Sequence, residues 1–276
     1  MDDIDDFAAR GSIAPLVAQI EQERGVDLSQ YRTSYAERRL GTRLRALGLT
    51  TYREYSDYLT SHETEYARLL DALTVNVTDF FRDPPVWDII REDVIPRILA
   101  AKAASGHHAV RAWSAGCATG EEPYSIAMAF LASKGPKPEK LLLSVAATDL
   151  DPLALRTAQI AQYDIAKIDH IPSADRSRFV TVEDKHFRVS PEVTERVRFK
   201  TLDLFTDDPP LSIDLILCRN VFIYFTREQQ DRVVGVFHRA LAKGGYLVLG
   251  RTEKMSAEAQ KSFEPVSGRE RIYRKA

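Results

Sequence analysis

Apolar residues recur at helical spacing through the first part of the chain. Over residues 13–23 they fall at Ile13, Leu16, Val17 and Ile20, Gly25 should stop this helix, and Asp27 can start the next segment. Residues 35–47 place Leu40, Leu44 and Leu47 on one face and Arg38, Arg39, Arg43 and Arg45 on the others. Residues 51–59 and 63–73 read as further helices, with no strand pattern between them. After Asp83-Pro84-Pro85 a helix is expected over 86–104. Pro96 lies inside it, lacks an N–H, and should bend it or mark a boundary near Val94.

The period then changes. Short apolar runs at 110–114, 141–147, 213–218, 245–250 and 271–274 alternate with helical patterns at 122–133, 152–162 and 227–241. Strands alternating with helices in this way predict an α/β fold with a mostly parallel sheet covered on both faces. One stretch breaks the alternation. Residues 179–182, 185–189 and 197–199 read as a small antiparallel insertion. The expected organisation is an all-helical domain over 1–74, a linker and helix over 75–106, and a sheet domain over 107–276 with a small β subdomain at about 176–200.

Composition narrows the function classes. The chain has 276 residues, 44% hydrophobic and 28% charged, enough for one large domain and a smaller one. A formal net charge of -2 shows no electrostatic commitment to nucleic acid. The cysteines, Cys117 and Cys218, form no CxxC pair, so no structural zinc site or disulfide framework is expected, and the expected cofactor set includes no metal. No apolar run reaches the length of a membrane span, and the start, MDDIDDF, is acidic where a signal peptide is basic. The expectation is a cytoplasmic protein that does not insert into a membrane.

Four segments carry candidate chemistry. Trp113-Ser114-Ala115-Gly116-Cys117-Ala118-Thr119-Gly120-Glu121-Glu122 leads from a strand through small residues into a helix, which lets backbone N–H groups approach a ligand closely. Two acids at that helix start would repel a pyrophosphate and suit a cation-bearing ligand such as S-adenosylmethionine. Ala147-Thr148-Asp149-Leu150-Asp151-Pro152 ends the next strand. Asp151 before Pro152 fits a helix cap, which leaves Asp149 to accept the ribose hydroxyls of an adenosine. Asn76-Val77-Thr78-Asp79-Phe80-Phe81-Arg82 reads either as a linker with buried rings or as a loop over the site. Cys218-Arg219-Asn220-Val221-Phe222-Ile223-Tyr224-Phe225 follows a buried strand, where open sheets bind ligands.

In order and spacing these segments resemble the motifs of the chemotaxis receptor glutamate methyltransferases of the CheR type, over essentially the whole chain. The resemblance implies a Rossmann-like S-adenosylmethionine-dependent methyltransferase domain with a small antiparallel β insertion, preceded by a small all-α domain. It implies methyl transfer to glutamate side chains of methyl-accepting chemotaxis receptors, giving methyl esters for sensory adaptation and S-adenosylhomocysteine as product. It places Asn76, Thr78 and Arg82 on the cofactor or the acceptor carboxylate, Glu122 (or its neighbour Glu121) near the sulfonium end, and Asp149 on the ribose. Cys218 and Arg219 would line the cofactor site. Asp203 and Leu204 would lie near the adenine, where the family usually has Asn-Leu; with Asp at 203 an amide donor is missing. Arg82 and Tyr224 are the catalytic candidates, Tyr224 beside the transferred methyl.

Arg32, Arg38, Arg39, Arg43 and Arg45 cluster with only Glu37 of opposite sign among them, and Arg32, Arg39 and Arg43 fall near one expected helical face. Alone they read as a solvated basic face. With the resemblance they become a docking surface for the acidic cytoplasmic helices of receptors. Some relatives grip a receptor's C-terminal pentapeptide on a glycine-rich hairpin. Residues 179–199 contain no glycine, so tight pentapeptide binding is not expected.

The alternatives are a methyltransferase of the same fold for another protein or a small molecule, and a non-catalytic cofactor-binding signalling module. Asp83-Pro84-Pro85-Val86 and Asp208-Pro209-Pro210-Leu211 resemble an amino-group methyltransferase signature for nucleic acid. Both lack its aromatic residue and neither follows a sheet strand, so nucleic acid is not expected as a partner.

Overall fold

Local signals account for the first helices of the computed structural model, which describes residues 10–24, 28–73, 76–133 and 142–276. The expected helix stop at Gly25, the start at Asp27, the acidic N-terminus and Leu141 lie outside the described residues. The helices are α1 (Ala14–Arg24), α2 (Thr33–Leu47), α3 (Tyr52–Ser61) and α4 (Glu63–Leu73). A capping box opens α3: Thr51 Oγ1 accepts the Glu54 N–H at 3.2 Å, and the Glu54 carboxylate accepts the Thr51 N–H at 3.1 Å. Gly48, at φ 70°, closes α2, and the Leu49 N–H reaches Leu44 O at 2.9 Å.

The described residues form two compact units. The first takes those within Met1–Val75 together with Tyr224–Gln229. Leu16, Ile20, Leu40, Leu44, Leu59 and Leu69 are buried in it, each adding about 1.5–3 kcal/mol relative to exposure. Glu65 is buried among them and accepts Arg43 Nε at 2.8 Å, Arg43 Nη2 at 3.0 Å and the Tyr55 hydroxyl at 3.1 Å. Arg32 precedes α2 in an extended conformation, φ -61° and ψ 129°. The helical face expected to join Arg32 to Arg39 and Arg43 is therefore not formed.

The second unit takes Asn76–Ile223 and Gln230–Ala276. It opens with α5 (Pro84–Ile89), a π-helical turn at Ile90–Val94, and α6 (Ile95–Ala104). The boundary expected near Val94 is this π turn, where the Ile95 N–H bonds Ile90 O, one residue further back than in an α-helix. The sheet domain follows as β1 (Ala109–Ala115), α7 (Glu121–Ala132), β2 (Leu142–Asp149), α8 (Pro152–Ile160), β3 (Gln162–Asp164), α9 (Ser173–Phe179), β4 (Val180–Glu183), β5 (His186–Val189), α10 (Pro191–Thr194), β6 (Val197–Thr201), β7 (Ile213–Cys218), α11 (Arg227–Ala240), β8 (Leu241–Leu249), α12 (Ala257–Gln260), β9 (Phe263–Ser267) and β10 (Ile272–Lys275).

The main sheet runs β6-β2-β1-β7-β8-β10-β9. Its β6, β2, β1, β7 and β8 are parallel, and β10 is antiparallel to both neighbours. Every residue of β7 is buried, as a central strand covered on both faces requires. From β1 the chain lays strands first to one side (β2, then β6) and later to the other (β7, then β8). The carboxyl end of β1, where the order reverses, is the place at which open sheets of this kind bind ligands.

Two expectations about the insertion are corrected. Residues 197–199 do not belong to it; they lie in β6, which pairs in parallel with β2 from Val145↔Val197 to Asp149↔Thr201. The small sheet, ordered β3-β5-β4, instead recruits Gln162–Asp164, of which the pattern assigned Gln162 to the end of a helix. That helix stops at Ile160 because Ala161 turns into the left-handed region at φ 54°. β9 was not expected, and β8 begins at Leu241 where the apolar run suggested Gly245. Among the described residues no helix is long and apolar enough to cross a membrane.

Candidate active site

The loop after β1 is shaped by its small residues. Gly116 has φ 78°, and a Cβ there would lie 2.5 Å from Val221 Cγ2; Gly120, at φ 96°, caps α7, and a Cβ there would lie 2.7 Å from Ala158 Cβ. The N–H groups of Gly116 and Cys117 both bond Thr148 O, at 2.8 and 3.0 Å, and that of Ala118 bonds Asp149 Oδ2 at 2.8 Å. The β1 loop is thereby hooked onto the end of β2. Asp149 Oδ1 accepts the Asp151 N–H at 3.0 Å, and Asp151 caps α8 through the N–H groups of Leu153 and Ala154. Burial raises the Asp149 pKa above the usual carboxylate value, and its backbone N–H bonds oppose that rise.

The adjacent acids of α7 have different partners. Glu121 is fully buried and pairs with Lys167 Nζ at 2.5 Å, while Thr119 Oγ1 donates to its other oxygen at 2.7 Å. Its charge is thus balanced by Lys167. Glu122 accepts the Ser114 hydroxyl at 2.7 Å and lies 4.0 Å from Arg219 Nη1. Burial pushes the Glu122 pKa up; Arg219 and the Ser114 bond counter it.

Arg219, whose side chain is 2% exposed, connects two of the loops. It donates Nη1 to Arg82 O at 2.9 Å and Nη2 to Asp83 at 2.5 Å, and its Nε is buried without a hydrogen-bond partner. Arg82 itself donates Nη1 to Val77 O at 2.9 Å. Asn76 reaches Asp151 Oδ2 at 2.7 Å, and Lys167 Nζ bonds Thr78 O at 3.3 Å. Phe81 and Asp83 on either side of Arg82, Ala118, and Asn220 all have positive φ, at 47°, 58°, 46° and 63°. Non-glycine residues held in this region store strain, which accumulates at functional sites.

The remaining candidates fall into place unequally. Cys218 is fully buried at the end of β7 and burial raises its thiol pKa far above the ordinary value, so it stays a neutral thiol rather than a nucleophile. Leu204 is buried, and the Leu202 N–H bonds Asp149 O at 3.1 Å. Asp203 accepts the Phe205 N–H at 2.8 Å, so its carboxylate is used in a local turn. Tyr224 belongs to the helical unit, where its ring packs 4.6 Å from that of Tyr35. Arg38 and Arg45 are exposed, Arg39 is half-buried, and Arg43 is turned inward onto Glu65.

Sequence reasoning missed Lys167, Asp83 and Glu253. Buried Glu253 accepts the N–H groups of Gly250, Asn220 and Phe222 at 2.6, 3.1 and 2.7 Å, and so fixes the turn that carries Asn220. Lys167 lies far along the chain from Glu121, and Glu253 from Asn220 and Phe222, so no spacing signals them. Asp83 was visible only as part of a Pro-Pro decoy.

This donor set fits S-adenosylmethionine. Glu122 and Asp149 suit its cationic groups and ribose diol, the unpaired Arg219 Nε suits its carboxylate, and the tight backbone at Gly116 admits a ligand close to the chain.

Residues 76–272 match the family described as CheR methyltransferase, SAM binding domain, and residues 12–74 that described as CheR methyltransferase, all-alpha domain. The chain is 31% identical over 236 residues to a chemotaxis protein methyltransferase of Listeria monocytogenes, covering 86% of this chain and 87% of that protein. It is 33% identical over 254 residues to a probable chemotaxis protein methyltransferase of Rhizobium etli, covering 90% and 94%. A 104.1 kDa protein of Rhodobacter capsulatus is 34% identical over 248 residues, 90% of this chain, which spans only 26% of that protein. The chain belongs to the CheR methyltransferase family and is an S-adenosylmethionine-dependent methyltransferase.

Proposed function

We propose that this enzyme esterifies glutamate side chains on the cytoplasmic helices of chemotaxis receptors, for sensory adaptation. The observation that carries the proposal is the division of charge in the site. Carboxylates stand at the ends of β2 and at the start of α7, and guanidinium groups stand on the loops at 76–83 and 218–220. A cationic donor and an anionic acceptor need that division.

S-adenosylmethionine supplies an electrophilic methyl group on a sulfonium when bound. Glu122 holds the cationic end and Asp149 the ribose. Arg82 pairs with the incoming glutamate, and the cation keeps that carboxylate ionised in a partly desolvated site. A glutamate of pKa ~4.3 needs no general base at neutral pH, so the side chains contribute position and electrostatics. The Tyr224 hydroxyl donates to the acceptor carboxylate and orients it. Exposed Arg38 and Arg45 on α2 steer acidic receptor helices toward the enzyme.

The test is methyl transfer from methyl-labelled S-adenosylmethionine to a receptor cytoplasmic fragment, scored as methanol released by base. Volatile counts are expected, with losses of about a hundredfold in Arg82→Ala and Tyr224→Phe. Full turnover in either variant would remove that residue from its role. Methylation of other acceptors alone would overturn the receptor assignment and leave the enzyme class.

A further inference from the structure

The helical unit contains an aromatic cluster centred on Tyr35. The Tyr35 ring lies 4.6 Å from that of Tyr224, tilted by 38°, and stacks 6.1 Å from that of Tyr31. The guanidinium groups of Arg39 and Arg38 stand 5.4 and 5.8 Å from its centre. Its hydroxyl donates to Leu73 O at the end of α4, and the residue is 7% exposed. Tyr35 is thus held across its ring and at its tip.

The main chain of Tyr224 is held as well. Arg32 donates its N–H to Tyr224 O at 3.0 Å and its Nε to Phe225 O at 3.1 Å. Phe225 forms an antiparallel bridge with Tyr31, and their rings meet edge-on at 5.5 Å. Arg32, expected to be a docking residue, is engaged with the segment that carries Tyr224.

We propose that Tyr35 is a positioning residue for Tyr224, with Arg32 fixing the backbone on which Tyr224 stands. The proposal rests on Tyr224 orienting the acceptor carboxylate. A tyrosine side chain places its hydroxyl through two torsions. With the backbone tied by Arg32 and one ring face covered by Tyr35, the hydroxyl is confined before any acceptor arrives. Displacement of an orienting group by about 1 Å costs on the order of a hundredfold in rate. Tyr35 lies on α2 between Arg32 and exposed Arg38, so the helix offered to an acidic partner also sets the angle of Tyr224.

The test combines kinetics with fluorine NMR on the full chain labelled with 3-fluorotyrosine, the Tyr224 line being assigned by its loss in Tyr224→Phe. In Tyr35→Leu we expect the Tyr224 line to shift or broaden and kcat to fall about tenfold or more, with KM and S-adenosylmethionine affinity within about twofold. Tyr35→Phe keeps the ring and should keep kcat within about threefold. Tyr35→Leu combined with Tyr224→Phe should be no slower than Tyr224→Phe alone. If Tyr35→Leu does not fold, Tyr35→His serves, with the same expectations. Additive losses, equal losses in the Leu and Phe variants, or an unmoved Tyr224 line would overturn the positioning role alone. Full kcat in Tyr224→Phe would overturn the acceptor-orienting role and this proposal with it.

Discussion

Glu122 faces its site as a buried carboxylate in the first turn of α7, with Ser114 and Arg219 as its partners. Because burial raises its pKa, protonation begins above the ordinary carboxylate range. A cationic ligand favours the ionised form. The affinity for S-adenosylmethionine should therefore fall as the pH is lowered below neutrality, earlier than a solvent-exposed glutamate would allow. Folding stability runs the other way: a carboxyl with a raised folded-state pKa costs stability when ionised, and that cost is relieved as the pH falls through its pKa. Glu122→Gln keeps the shape and removes the charge, and titration calorimetry should find binding lower by about tenfold at neutral pH with a shallower pH dependence, the remainder belonging to Asp149, whose pKa burial also raises. A Gln variant with undiminished affinity would remove Glu122 from the cofactor site. Glu121→Gln, by contrast, acts on the internal pair with Lys167 and should cost stability before it costs affinity.

At the level of elements, α2 separates two kinds of arginine. Arg38 and Arg45 are exposed, whereas Arg43 is held by buried Glu65. Arg38→Glu with Arg45→Glu should raise KM for a receptor fragment severalfold, more at low salt than at high, and leave S-adenosylmethionine affinity unchanged. Equal loss of both would remove the docking role. Arg43→Ala strands the Glu65 carboxylate and should lower stability by about 3 kcal/mol in denaturant unfolding, without a selective effect on KM. The small sheet yields a separate expectation. Its β4–β5 hairpin turns at Asp184 and Lys185, and residues 179–199 have no glycine. A receptor C-terminal pentapeptide should bind weakly, and tight binding by calorimetry would contradict this.

In the second unit the candidate site is a convergence of distant segments. Asn76 meets Asp151, Ala118 meets Asp149, and Arg219 meets Asp83, each across 31 to 136 positions of sequence. The chemistry proposed for these groups uses charge and position alone, so turnover should be unchanged after treatment with a chelator. A loss restored by a divalent ion would show a metal requirement. Much of this fold was legible beforehand. Helical periodicity located α1 to α4, strand-helix alternation gave the parallel sheet, and Asp151-Pro152 announced its helix cap, because each of these depends on residues within a turn or two. The tight turns at Gly116 and Gly120 in the candidate site were legible too, since a close backbone approach needs small residues wherever the chain goes.

Partners across space were not legible. Residues 197–201 have the same apolar pattern whether they pair with an inserted hairpin or with β2, and only the sheet decides. Neighbouring Glu121 and Glu122 differ because Lys167 arrives beside one and Arg219 beside the other. Arg32 looked like one basic residue among five until the chain returned at Tyr224 and Phe225 to receive its hydrogen bonds. The sequence by itself determined which segments become helices and strands and which residue types stand in the loops, through short-range sterics and hydrophobic periodicity. The tertiary structure alone decided which charges are paired with which partners, because those pairings depend on groups brought together by folding.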